Sequence, residues 1–96
     1  MSQQQENEAT MRLAAERGQH DAVGLMLQLG ADVNAPDPSD GRTALHRAAA
    51  VGYPEVVEQL LAAGADASIA DGEGATARQL AEAGGFQDVL GLLPSP

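Results

Sequence analysis

The chain has 96 residues, a formal net charge of −9 and no cysteine, and its aromatic residues are one tyrosine and one phenylalanine. The missing cysteines exclude a disulfide framework and a cysteine-based zinc site, and five basic residues against fourteen acidic ones oppose binding to a nucleic-acid backbone or an anionic membrane. So few large side chains make a single globular core hard to fill, whereas helices that approach closely through alanine and leucine need none.

In chain order, residues 1–7 are polar and lack apolar periodicity, so a flexible tail is expected there. They carry no apolar signal-peptide core, and no apolar run in the chain approaches the roughly 18 residues of a membrane span. The default expectation is a soluble, cytoplasmic monomer, nuclear as well in a eukaryotic cell.

Six helices are predicted after the tail. The first of each pair fall near 8–17, 44–51 and 77–84, the second near 21–29, 54–62 and 87–93. Thr43 and Thr76 stand where an N-cap is needed, since a hydroxyl there accepts first-turn N–H groups. Pro54 suits the first position of a helix, whose N–H needs no partner. Gly30 and Gly64 suit left-handed C-terminal caps. Val56, Val57, Leu60 and Leu61 form one apolar stripe, matched by Ala22, Val23, Met26 and Leu27 upstream and by Val89, Leu90 and Leu93 downstream. Pro94 follows, and residues 94–96 are expected to be a second tail.

The pairs repeat. Gly18 to Gly52 is 34 residues and Gly52 to Gly85 is 33, a period that signifies one supersecondary unit used several times. The middle unit reads Gly41-Arg-Thr-Ala-Leu-His-Arg-Ala-Ala-Ala-Val-Gly52 and, twelve residues on, Gly64-Ala-Asp66. The first keeps Gly30-Ala-Asp-Val-Asn34, and the third keeps Asp71-Gly-Glu-Gly74 and Thr76 before reading Arg78-Gln79. These residues resemble the ankyrin repeat over about residues 8–93. The resemblance implies an all-α solenoid of three helix-turn-helix units with β-hairpin-like loops, in repeats of about 8–36, 37–70 and 71–93. It also implies that the outer two are capping repeats. Arg12 and Glu82 are then expected to turn charge away from the ends of a complete stack.

No catalytic, metal-binding or cofactor-binding constellation emerges. The serines lie outside any Gly-x-Ser-x-Gly turn, Gly72-Glu-Gly74 lacks the ending of a phosphate loop, and Asp37 with Asp40 lacks the ligand pattern of a calcium loop. His46, in its Thr-x-Leu-His context, has by resemblance a structural role, bonding the threonine hydroxyl and nearby backbone. His20 lies in a helix turn. The chain is therefore expected to be no enzyme and to need no cofactor.

What remains is a surface, and the resemblance places it on loop tips and a concave face of first helices. Asp37, Pro38, Ser39, Asp40 and Arg42 form the first finger, one residue longer than usual, and Asp71 and Glu73 the second. Glu16, Arg17, Arg47, Ala50, Val51, Tyr53, Ala83 and Phe86 belong to the helical face. Arg47 is distinctive because the other units have Leu13 and Leu80 at its place. Tyr53 and Phe86 admit two readings, as anchors for a partner or as covers over the turns between helices. The function implied is a protein-protein interaction module acting as inhibitor, adaptor or assembly chaperone, and the acidity is compatible with a basic partner surface. The alternative is a consensus-like engineered scaffold without a dedicated partner, against which stand the longer finger, Arg78-Gln79 and Gly24 inside a helix.

Overall fold

A computed structural model describes residues 2–94. It contains α1 (Gln3–Glu16), α2 (His20–Gln28), α3 (Ala44–Val51), α4 (Pro54–Ala62), α5 (Ala77–Gly84) and α6 (Gln87–Leu90). The helices form two layers. Helices α1, α3 and α5 lie side by side in one, and α2, α4 and α6 follow the same order in the other. Among the described residues there is no strand and no helix long and apolar enough to cross a membrane.

Sequence chemistry accounts for most boundaries. Thr43 and Thr76 each accept the N–H three residues on, and the side chains of His46 and Gln79 accept the N–H of the capping residue in return, which satisfies two orphan donors at once. Pro54 opens α4. Gly30 and Gly64 close α2 and α4 with φ of +91° and +95°.

Alanine lets the layers close. Ala14, Ala15, Ala48, Ala49 and Ala81 are buried between Met11, Leu45, Val56, Val57 and Leu60. A chain with two large aromatic rings thus builds a core from small side chains at short helix separation. Adjacent repeats are also stitched through polar groups. His46 Nδ1 accepts from the Thr43 N–H at 3.1 Å, so Nε2 carries the proton and donates to the Ala75 carbonyl of the next repeat at 2.9 Å. Asn34 Oδ1 accepts the Asp66 N–H at 2.7 Å, and Gln59 Nε2 donates to the His20 carbonyl at 3.0 Å. His46 therefore has the structural role expected of it.

Three expectations are corrected. Residues 3–7, expected within a tail, are the opening turns of α1. Ser2 caps the helix with Gln5 in a capping box, Gln3 bonds Asn7 and Gln4 bonds Glu8 at i, i+4, and Glu8 accepts the Asp32 N–H at 2.8 Å. The first unit has Ala9 one period before Thr43, so nothing there stops the helix from running back through good helix formers. Met1, Ser95 and Pro96 lie outside the described residues. Helix α6 ends at Leu90 instead of 93, because Gly91 breaks it and the residue before Pro94 is steered out of the helical region. Arg12, expected to point off the end of the stack, is buried and donates to the Ala35 carbonyl at 3.1 Å, joining α1 to the loop between α2 and α3.

Candidate functional surface

The two fingers are hairpin-like turns built on aspartates. In the first, Asp37 N–H donates to the Arg42 carbonyl and Gly41 N–H to the Asp37 carbonyl, both at 2.8 Å. In the second, Asp71 N–H donates to the Ala75 carbonyl at 2.8 Å and Gly74 N–H to the Asp71 carbonyl at 2.9 Å. The side chains repeat the pattern one level up. Asp37 Oδ1 accepts from the N–H and hydroxyl of Ser39, Asp40 Oδ1 from the Arg42 N–H, and Asp71 Oδ1 from the N–H groups of Glu73 and Ala75. These are the local turns for which Asp and Ser are favoured. The fingers are joined to each other by the Gly72 N–H, which donates to the Asp40 carbonyl at 2.8 Å.

Such donors stabilise the charged carboxylates. The N–H and hydroxyl of Ser39 hold Asp37 below the usual carboxylate range, with Arg12 and Arg47 contributing less. The Ala75 N–H does the same for Asp71, aided by the Glu73 N–H and Arg42 and opposed by partial desolvation. Asp66 is lowered by Ser68 in the same way.

Cations neutralise much of this acidity. Arg42 Nε reaches Asp71 Oδ2 at 3.3 Å across the gap between fingers. Arg47 Nη2 lies 3.1 Å from Asp37 Oδ2 and 2.9 Å from Asp40 Oδ2, with Nη1 4.0 Å from Glu16 Oε1. The first finger is thus a folded, internally paired structure and not a free acidic prong.

Of the residues singled out from sequence, Asp37, Pro38, Ser39, Asp40 and Arg42 lie together in one finger, Asp71 and Glu73 lie in the next, and Arg47 joins them at the base. Ser39, Asp40, Arg42, Asp71, Gly72 and Glu73 line a cleft of about 330 Å³ between the tips. Val51 is 41% exposed at the end of α3. Tyr53 and Phe86 are placed differently. Both are half-buried against the core, Tyr53 with its ring over Gly18 and Phe86 with its ring over Gly52 and Gly84. A Cβ on Gly52 would stand 2.6 Å from the Phe86 ring, so the glycine makes room for the cover. The two aromatics therefore cover helix turns.

Sequence reasoning missed part of this face. Ala9, Arg12, Leu13, Glu16, Asp37 and Arg47 line a second groove of about 210 Å³ between α1 and the first finger. Leu13 is 45% exposed there. The available signal was its register, one period before Arg47, which places a leucine on the helical face beside the finger. Among the described residues, no three His, Cys, Asp or Glu side chains converge as metal ligands.

Comparison with known proteins agrees with the architecture. A family model described as ankyrin repeats (three copies) matches residues 1–71. Potassium channel AKT3 of Oryza sativa subsp. japonica is 40% identical over 78 residues, covering 81% of this chain and 9% of that protein. Zinc finger CCCH domain-containing protein 24 of the same subspecies is 45% identical over 73 residues, covering 72% of this chain and 10% of that protein. E3 ubiquitin-protein ligase KEG of Arabidopsis thaliana is 35% identical over 85 residues, covering 88% of this chain and 5% of that protein. The chain spans a tenth or less of the length of these relatives.

Proposed function

The chain belongs to the ankyrin-repeat family, whose domains are non-catalytic protein-protein interaction modules, and on that premise we propose that it docks a partner protein through its two finger tips and the adjoining concave face of α1 and α3. The observation that carries this reading is the linkage of the fingers. The bond from Gly72 to Asp40 and the ion pair from Arg42 to Asp71 turn two loop tips into one pre-shaped platform. A platform ordered beforehand loses less conformational entropy on association. The adjoining helical face carries Leu13 near the first finger and Val51 at the far end of α3, exposed apolar side chains of the kind that desolvate in an interface.

The partner surface is basic. The chain carries −9 overall, and Glu73, at the tip of the second finger, is exposed and forms no ion pair among the described residues. Acting as a monomer, the domain blocks, bridges or escorts that partner as an inhibitor, adaptor or assembly chaperone. Nucleic acid is disfavoured by the same charge.

The test begins with the partner captured from the source cell, identified and purified. Val51→Lys and Glu73→Lys are each expected to weaken its binding about tenfold or more, equivalent to roughly 1.4 kcal/mol. Leu25→Glu, on the exposed side of α2, should leave affinity unchanged. Loss of binding with Leu25→Glu alone would put the interface on the second-helix layer and refute the proposal.

A further inference from the structure

Arg47 occupies a helical position where both neighbouring repeats carry leucine, Leu13 and Leu80. Its side chain is only 16% exposed, and it reaches three carboxylates on two segments, the first finger and α1. Nη2 contacts Asp37 Oδ2 at 3.1 Å and Asp40 Oδ2 at 2.9 Å, and Nη1 stands 4.0 Å from Glu16 Oε1 on α1. The two aspartate oxygens meet at the same nitrogen. Without the cation between them these carboxylates would repel at short range, and the partial burial of the site strengthens both the attraction and the repulsion. Each aspartate also holds backbone structure. The main chain of Asp37 closes the finger onto Gly41 and Arg42, and the Asp40 carbonyl receives the Gly72 N–H of the second finger.

We infer that Arg47 is a positioning residue for the contact surface: it clamps the first finger to α1 and α3, and through Asp40 it sets the second finger as well. This rests on the reading of the fingers as the docking platform. The clamp adds little to the stack itself, because the leucines at equivalent positions show that the helical layers form without an arginine there. Its effect is on the shape and order of the tips, so a partner meets one finger conformation and not an ensemble. Arginine suits the task better than lysine, since its fork can address several carboxylates while a lysine offers a point charge.

The experiment is residue-resolved amide hydrogen exchange on the isolated chain and on Arg47→Leu and Arg47→Lys. Exchange at Asp37, Gly41 and Gly72, whose N–H groups form the finger bonds, should rise about tenfold or more in Arg47→Leu, as expected for local opening. Val57 and Leu60 in the core should keep their rates, and Arg47→Lys should recover part of the protection. If Arg47→Leu does not fold, the double variant Asp37→Asn with Asp40→Asn removes the same ion pairs with arginine retained and should show the same local rise. Unchanged finger exchange would overturn the inference, and so would an equal rise throughout the core, which would mark Arg47 as merely structural. These rates are measured without a partner, so an interface found elsewhere would refute the proposed function and leave this result standing.

Discussion

Replacing Leu45 by alanine is expected to remove about 2–5 kcal/mol of stability, the range for deleting a fully buried leucine and leaving a cavity. Leu45 is 1% exposed and lies on α3, the central helix of its layer, with α1 on one side and α5 on the other. Half of the buried apolar residues of the core are alanines, which cannot swing inward to fill the void. A stack of three units near the low end of the roughly 5–15 kcal/mol typical of domains would lose a large share of its folded population. The check is the urea midpoint of Leu45→Ala beside that of Leu13→Ala, whose side chain is 45% exposed. Equal midpoints for the two variants would contradict the packing described.

The second large effect is expected at Gly41. Its φ of +75° is left-handed, and an added Cβ would lie 2.7 Å from the Gly72 nitrogen and 3.3 Å from the Asp71 carbonyl carbon. Those are backbone atoms of the second finger, so no side-chain rotation relieves the clash. Gly41→Ala should cost about 2–3 kcal/mol, combining left-handed strain with separation of the two tips. Gly74→Ala is the matched control. It has φ of +83° but nothing within 4 Å of an added Cβ, so it should show only the conformational cost of about 1–2 kcal/mol. Denaturant midpoints that fall equally for both variants would mean that the fingers do not touch at Gly41.

These two sites mark what was legible in the sequence and what was not. Helices α3 and α4 could be bounded to the residue because Thr43, Gly52, Pro54 and Gly64 are local signals whose physics acts within one turn. The early start of α1 was missed because a polar helix held by i, i+4 amide bonds and one long-range bond from the Asp32 N–H to Glu8 leaves no apolar period to detect, and its one local signal is the Ser2-x-x-Gln5 capping box. The end of α6 was overshot because Leu93 stays buried after the helix has ended. Within the candidate surface, the residue types of both fingers were evident from the Asp, Ser and Gly turn chemistry. Their pairing was not. That Arg47 meets Asp37 and Asp40 depends on how the finger folds back over its own helix, and whether Tyr53 faces a partner or covers Gly18 depends on how repeats are set against each other; spacing along the chain carries no information about either.

Two consequences follow for the acidic finger. Its charge is largely satisfied internally, so reversing Asp37 or Asp40 would disturb the finger's shape along with its field. Exposed positions such as Val51 and Glu73 probe contact without that complication. The aromatic lids are likewise poor probes, since truncating Phe86 opens space over Gly52 and Gly84 inside the stack.

Whether the finger platform and adjoining first-helix face form the docking surface can be read from an amide-exchange footprint of the chain with and without its purified partner. Added protection is expected in residues 37–43 and 71–76, with slower exchange at the exposed end of α3 and with α2 and α4 unchanged. Protection confined to α2 and α4, with the fingers exchanging as in the free chain, would contradict that placement of the docking surface.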